Sequence, residues 1–144
     1  MHTDIRAVII SEDAVSSAVL ARSLKEWWCA GVTCNVYPTV ASAMRTQFID
    51  TAEIVFISAF EDELELHRAI RAIHARALSP ICIVISNLHG AAARAAALRA
   101  GAHDCISGYV ANQDDIHRCL WSVLRKRTAE HLSLVVAVPQ LASA

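Results

Sequence analysis

Short β-branched apolar runs alternate along this chain with longer stretches in which apolar residues return every three or four positions, and five such pairs follow one another. The alternation predicts strands and helices in succession, hence a parallel sheet covered by helices on both faces. The first run is Ala7 to Ile10, closed by Ser11, Glu12 and Asp13. The helix behind it, about Ala14 to Trp28, places Val15, Val19, Leu20, Leu24 and Trp27 along one stripe, and Gly31 ends it. A second strand, Thr33 to Tyr37, stops at Pro38, and Thr39 is placed to cap a short helix over about Val40 to Phe48. The third, Glu53 to Ile57, is continuously apolar after its first residue, as a mid-sheet strand buried on both faces should be.

Glu61, Asp62, Glu63 and Glu65 open the next helix, which runs to about Ala77; acids there suit the positive end of the helix dipole. Ser79-Pro80 breaks the chain before a fourth strand, Ile81 to Ile85. The helix of about Ala91 to Ala100 is terminated by Gly101, the fifth strand is Asp104 to Ser107, and the last helix spans about Gln113 to Lys126. Its inward stripe is Ile116, Leu120, Val123 and Leu124, with Trp121 beside it. Five βα units at this length fit a flavodoxin-like three-layer sandwich, with a five-stranded parallel sheet in the order 2-1-3-4-5. A Rossmann sheet needs more strands and a Gly-rich first turn, where this chain has acids. In that order the first and last helices share a face, so Trp27 or Trp28 should pack near Trp121 in the core.

With 144 residues, 55% of them hydrophobic, the chain can bury one compact core and not two. The expected division is one domain over 1–127 and a tail or linker over 128–144. For the tail, which contains Leu132 to Val138 and then Pro139, a sixth strand, an arm covering an edge and a linker to an effector domain all stay open. A formal charge of −1 provides no global attraction to nucleic acid or to an anionic membrane, so neither is expected as a partner of this domain. Met1 to Arg6 is charged and the apolar run after it has four residues, which fits neither a signal peptide nor a span. Five cysteines, Cys29, Cys34, Cys82, Cys105 and Cys119, show no CxxC spacing and read as buried free thiols in a reducing cytoplasm. His67 and His74, seven apart on one helix, read as surface residues, and His103 and His117 as ordinary ones. Arg125, Lys126 and Arg127 close the last helix, where cations complement its negative end.

Ligands of open parallel sheets gather at the carboxyl ends of the strands, so Glu12 and Asp13, Ser58, Ser86, and Ser107-Gly108 are the residues to interrogate. With Leu98-Arg99-Ala100-Gly101-Ala102-His103-Asp104, which looks like an AGA-x-D stretch leading into the fifth strand, this set resembles the receiver (response-regulator, CheY-like) domain family of two-component systems. Ser58 and Ser86 are 28 apart (86 − 58), and Ser86 and Gly108 are 22 apart (108 − 86), close to the family's acceptor, hydroxyl and lysine separations. The resemblance covers about residues 6 to 127 and implies a cytoplasmic signal-transduction or transcription-regulation domain.

The departures concern the family's chemistry. An acceptor aspartate attacks phosphorus while Mg²⁺ and an ammonium group neutralise the transferred oxygens. Ser58 stands at the acceptor position, Gly108 at that of the lysine, Tyr109 at the following proline, and Cys105 at the relay aromatic of the fifth strand. The reading is a degenerate pseudo-receiver: not an enzyme, with no cofactor and no resident metal. Ser86 reads as a turn or capping residue. Glu12 and Asp13 alone would hold Mg²⁺ weakly, and as solvated acids at a strand end and helix start they need no metal. The resemblance implies output through protein contacts with an effector domain, a kinase or a second copy, and a homodimer across the fourth helix, fifth strand and fifth helix. Ala93, Arg94, Ala97, Tyr109 and Arg118 are the residues expected there, because the alanine-rich helix cannot bury all its faces against the sheet. Two alternatives stand beside this reading: a receiver-like wing domain that serves assembly of a pyridoxal-phosphate amino-acid decarboxylase, and an atypical regulator that still takes phosphate.

Overall fold

The computed structural model describes residues 4–28, 31–58, 62–76, 80–86, 91–107 and 113–142, side chains excepted at Trp27, Ser107 and 133–142. Its five strands are β1 (Ile5–Ile10), β2 (Val32–Tyr37), β3 (Ile54–Ser58), β4 (Ile81–Ser86) and β5 (Asp104–Ser107). They form one parallel sheet in the order β2-β1-β3-β4-β5. The helices are α1 (Ala14–Trp27), α2 (Val40–Met44), α3 (Glu63–Arg76), α4 (Ala91–Arg99) and α5 (Gln113–Ala142), with a 3-10 turn at Phe48–Thr51. This is the flavodoxin-like order that the sequence predicts.

Side-chain alternation along the strands builds two cores, one on each side of the sheet. Ile5, Ala7, Ile9, Ile54, Phe56, Ile81 and Ile83 pack against Leu20, Leu24 and Trp28 at α1 and Ile116, Cys119, Leu120 and Val123 of α5. Val8, Ile10, Val55, Ile57, Cys82 and Val84 pack against Ala43, Ile49, Leu66, Ile70, Ile73 and Ala97 of α2, the 3-10 turn, α3 and α4. Strands β1, β3 and β4 are therefore buried on both faces, which is why their sequences are apolar runs and not alternating ones.

Helix ends follow local chemistry. Thr39 and Ser42 form a reciprocal capping box at the start of α2. At the end of α4, Gly101 takes φ 103°. Its N–H donates to Leu98 and that of Ala102 to Ala97, both at 3.1 Å, which is the Schellman arrangement that glycine permits.

Three expectations need correction. On α1 the inward stripe is Ser17, Leu20 and Leu24, continued by Trp28, while Val15 and Val19 are 75% and 56% exposed. The helix stops at Trp27 and Trp28 is already extended, so Gly31 leads into β2 and does not cap α1. Helix α5 runs on through the expected tail to Ala142. Its 30 residues span about 45 Å, against about 20 Å for a six-residue strand, so its C-terminal part passes beyond the sheet and residues 128–142 are not a sixth strand. Arg125, Lys126 and Arg127 consequently lie mid-helix, away from the dipole's negative end. Arg127 instead forms an ion pair with both carboxylate oxygens of Glu53 and donates to the Asp4 carbonyl at 2.8 Å, tying α5 to the starts of β1 and β3.

The histidines are not idle surface residues. His67 donates through Nδ1 to the Ala100 carbonyl at 3.0 Å, and His74 through Nε2 to that of Pro80 at 3.1 Å, because carbonyls only accept. His103 Nδ1 accepts from the Cys82 N–H at 3.2 Å, which requires that nitrogen to be unprotonated. Burial, with His74 and Lys126 nearby, holds His103 below the ordinary histidine value. Trp28 meets Trp121 edge-on at 5.6 Å between centroids; Trp28 is buried and Trp121 is exposed.

Candidate functional site

The carboxyl ends of β1 and β3 open onto a cleft of about 850 Å³, walled by the starts of α1, α2 and α3. Glu12, Asp13, Ser58, Asp62 and Glu65 line it, with Ile10, Ser11 and the segment 38–41. The structure thus brings Glu12, Asp13 and Ser58 together. Ser86 is buried at the end of β4, one strand over, and does not line this cleft. Gly108 lies outside the described residues, as does Tyr109. Asp62 and Glu65 join the site through the α3 start; the sequence marks them as helix-opening acids, and only the fold shows that this start faces Glu12.

Four carboxylates therefore share one cleft, and no lysine or arginine is among its described lining residues. The sequence extends that statement to the loops. None of the segments 11–13, 38–39, 59–62, 87–90 and 108–112 that follow the strands contains a lysine or arginine. The chain has two lysines, Lys25 and Lys126. Lys25 lies in the last turn of α1, a helix that starts at the cleft and runs away from it, and Lys126 pairs with Glu130 at 3.7 Å along α5.

Asp13 is the α1 N-cap. Its Oδ1 accepts from the N–H groups of Val15 and Ser16, both at 3.1 Å, and its Oδ2 from the Ser16 hydroxyl at 2.9 Å. These bonds to Ser16 and Val15 hold its pKa below 3.8. Both oxygens are thereby engaged in fixing the helix start, which reduces what Asp13 has left for a cation. Among the described residues no group of three or more His, Cys, Asp or Glu is placed to hold a metal ion. Ser58 ends β3 half-buried, with neighbours that are carboxylates and apolar or hydroxyl side chains; none of the cleft's described residues is a histidine or lysine base.

The second expected surface is differently made. Asp104, at the start of β5, is buried and accepts from Arg118 Nε at 2.9 Å, with Arg94 at 3.5 Å on its other oxygen. Asp115 also holds Arg118, at 3.3 Å. Arg94 and Arg118 therefore clamp α4, β5 and α5 together while their side chains stay exposed. Ala97 is 2% exposed and belongs to the core, which corrects its assignment to the interface; Ala93 is half-buried. The thiols are chemically quiet: burial pushes Cys82 and Cys119 up to about 12 and Cys34 to about 11. Among the described residues no helix is long and apolar enough to cross a membrane.

No protein-family model and no curated protein sequence matches this chain. Solved structures do. A response regulator from Thermotoga maritima superposes with a TM-score of 0.70 at 17% identity, over 85% of this chain and 98% of its own. A pilus assembly-related protein from Burkholderia pseudomallei matches at 0.68 and 24% identity, over 85% and 91%. An atypical orphan response regulator, described as having a phosphorylation-independent regulatory mechanism, matches at 0.64 and 19% identity, over 84% and 96%. The chain has the CheY-like, flavodoxin-type fold of response-regulator receiver domains.

Proposed function

We propose that this domain is a pseudo-receiver of signal transduction that takes no phosphoryl group and acts through protein contacts. The observation that carries the reading is the electrostatics of the cleft: four carboxylates, a serine at the acceptor position, and no lysine or arginine on any loop beside it. A transferred phosphoryl group brings anionic oxygens, and its transition state needs cations to meet them. Here those oxygens would meet acids. Ser58 also has only carboxylates and no histidine or lysine among the cleft's described residues to activate its hydroxyl, which leaves it a weak nucleophile. The surface of α4, β5 and α5 is the proposed contact face for a protein partner, with Arg94 and Arg118 presented at fixed positions by Asp104. Residues 128–142 are the proposed helical linker carrying the domain's state away from the sheet.

Incubation with acetyl phosphate and Mg²⁺, followed by intact-mass measurement, tests this. The mass should stay unchanged; a gain of one phosphoryl group on the domain would reverse the reading. A second reading, a regulatory module in pilus assembly, is favoured by the 24% identity to the Burkholderia protein, above that of the two response regulators named. Deleting the domain in its host should then remove surface pili, whereas unchanged piliation would dismiss that setting.

A further inference from the structure

The clasp that starts the pairing of β5 with β4 is made by one residue. The Cys82 carbonyl accepts from the His103 N–H at 2.8 Å, and the Cys82 N–H donates to His103 Nδ1 at 3.2 Å. Both main-chain groups of Cys82 are thus held by His103, the second of them through a side chain. An imidazole nitrogen accepts only while it carries no proton, so the neutral ring must keep its hydrogen on Nε2. Cys82 is fully buried, whereas His103 is exposed as a residue, so solvent protons reach its ring without any prior opening.

Each element around this ring brings a titratable or charged group. From α3 comes His74, edge-on to His103 at 6.3 Å between ring centroids, which donates through Nε2 to the Pro80 carbonyl. That bond survives in either charge state of His74, because Nε2 keeps its hydrogen in both. From β4 comes the Cys82 thiol, 3.5 Å from His74 Nε2; burial pushes it up to about 12, so it stays neutral. From α5 comes Lys126, and on α4 Arg94 and Arg99 are engaged by Asp104 and Glu63. Asp104, next to His103 along β5, is in turn taken by Arg94 and Arg118. Partial burial of the ring and its basic neighbours His74 and Lys126 all favour the neutral form. His103 is therefore the ring in this cluster whose charge decides whether a main-chain bond exists.

We infer that His103 is a proton-gated clasp: neutral, it fastens β5 to β4; protonated, its Nδ1–H faces the Cys82 N–H, donor against donor, and the start of β5 lets go. A buried N–H that loses its acceptor is costly, and the release of the strand end lets water replace it. Strand β5 has four residues and lies at the edge of the sheet with β4 as its ladder neighbour, so one bond is a large share of its hold. Asp104 follows directly, so release also loosens the anchor of Arg94 and Arg118 on the surface of α4, β5 and α5. The folded-state pKa lies below the ordinary 6.5, so the clasp is closed above that value and opens as pH falls through the lowered one. The device belongs to the domain alone and holds whether or not that surface takes a partner.

NMR of the whole chain between about pH 7.5 and 4.5 tests this. Long-range ¹H–¹⁵N spectra should show neutral His103 as the Nε2–H tautomer. As the ring titrates, hydrogen-exchange protection at Cys82 and 104–106 should fall about tenfold relative to Ile9 and Phe56 in mid-sheet, along the His103 titration curve. His103→Asn supplies an oxygen acceptor that does not titrate, and should keep Cys82 protected throughout. His74→Gln should leave the response in place. The inference is overturned if neutral His103 is the Nδ1–H tautomer, if it stays neutral over the whole range, or if it titrates while Cys82 stays protected. A pH response that persists in His103→Asn, or a loss of protection shared equally by Ile9 and Phe56, overturns it too.

Discussion

The acids of the cleft and the acids elsewhere on the molecule live in opposite surroundings. Glu53 is held by Arg127, Asp104 by Arg94 and Arg118, Asp50 by Arg76 at 3.0 Å, and Glu63 by Arg99 at 3.0 Å. Each of these pairs joins two elements of the fold. Glu12, Asp13, Asp62 and Glu65 share a cleft with no such partner among its described lining residues. In these pairs the cations sit on the scaffold, and the described lining of the cleft at the carboxyl end of the sheet has carboxylates and no lysine or arginine of the kind phosphoryl transfer uses.

The largest effect that sharpens this contrast should come from Asp104→Ala. It removes the buried acceptor of two exposed arginines, of which Arg118 keeps Asp115, and of the Cys105 N–H at 2.8 Å, so a loss of about 2 kcal/mol in urea unfolding is expected. Arg127→Met keeps the apolar stem but leaves Glu53 half-buried without its guanidinium, and should cost roughly 1–2 kcal/mol in the same measurement.

Asp13→Ala should destabilise α1 in a pH-dependent way. The folded-state pKa lies below the ordinary 3.8, so the cap's contribution is complete above that value and is lost as pH falls through the lowered one. Thermal melts of variant and wild type should differ at neutral pH and converge in acid. The smallest effect belongs to Glu65→Gln, expected within about 0.5 kcal/mol of wild type. A clear destabilisation there would mean that the cleft acids have a stabilising partner after all, and the contrast would fail.

The sequence made the strands legible because β1, β3 and β4 are buried on both faces and read as apolar runs, and Thr39 and Gly101 mark helix ends by local chemistry alone. Helix phase was harder. On α1, valines and alanines recur at several offsets, and a 3.6-residue period fits either Val15 and Val19 or Leu20, Leu24 and Trp28; packing against β1 and α5 decides. In the cleft, Glu12, Asp13 and Ser58 were readable from their places after strands. Asp62 and Glu65 were not, since helix-opening acids reveal their neighbours only once the helix is placed. The sequence places Arg94 and Arg118 at an interface and Arg127 against the helix dipole, and their ion pairs stay hidden because the partners, Asp104 and Glu53, lie 10 (104 − 94), 14 (118 − 104) and 74 (127 − 53) residues away.

The proposal that the cleft takes no phosphoryl group can be probed without chemistry, using beryllium fluoride with Mg²⁺ as a tetrahedral mimic and ¹⁹F NMR as the readout. The account predicts no resonance beyond those of free fluoride and free fluoroberyllate at any attainable protein concentration. A bound resonance that disappears with Ser58→Ala would contradict it.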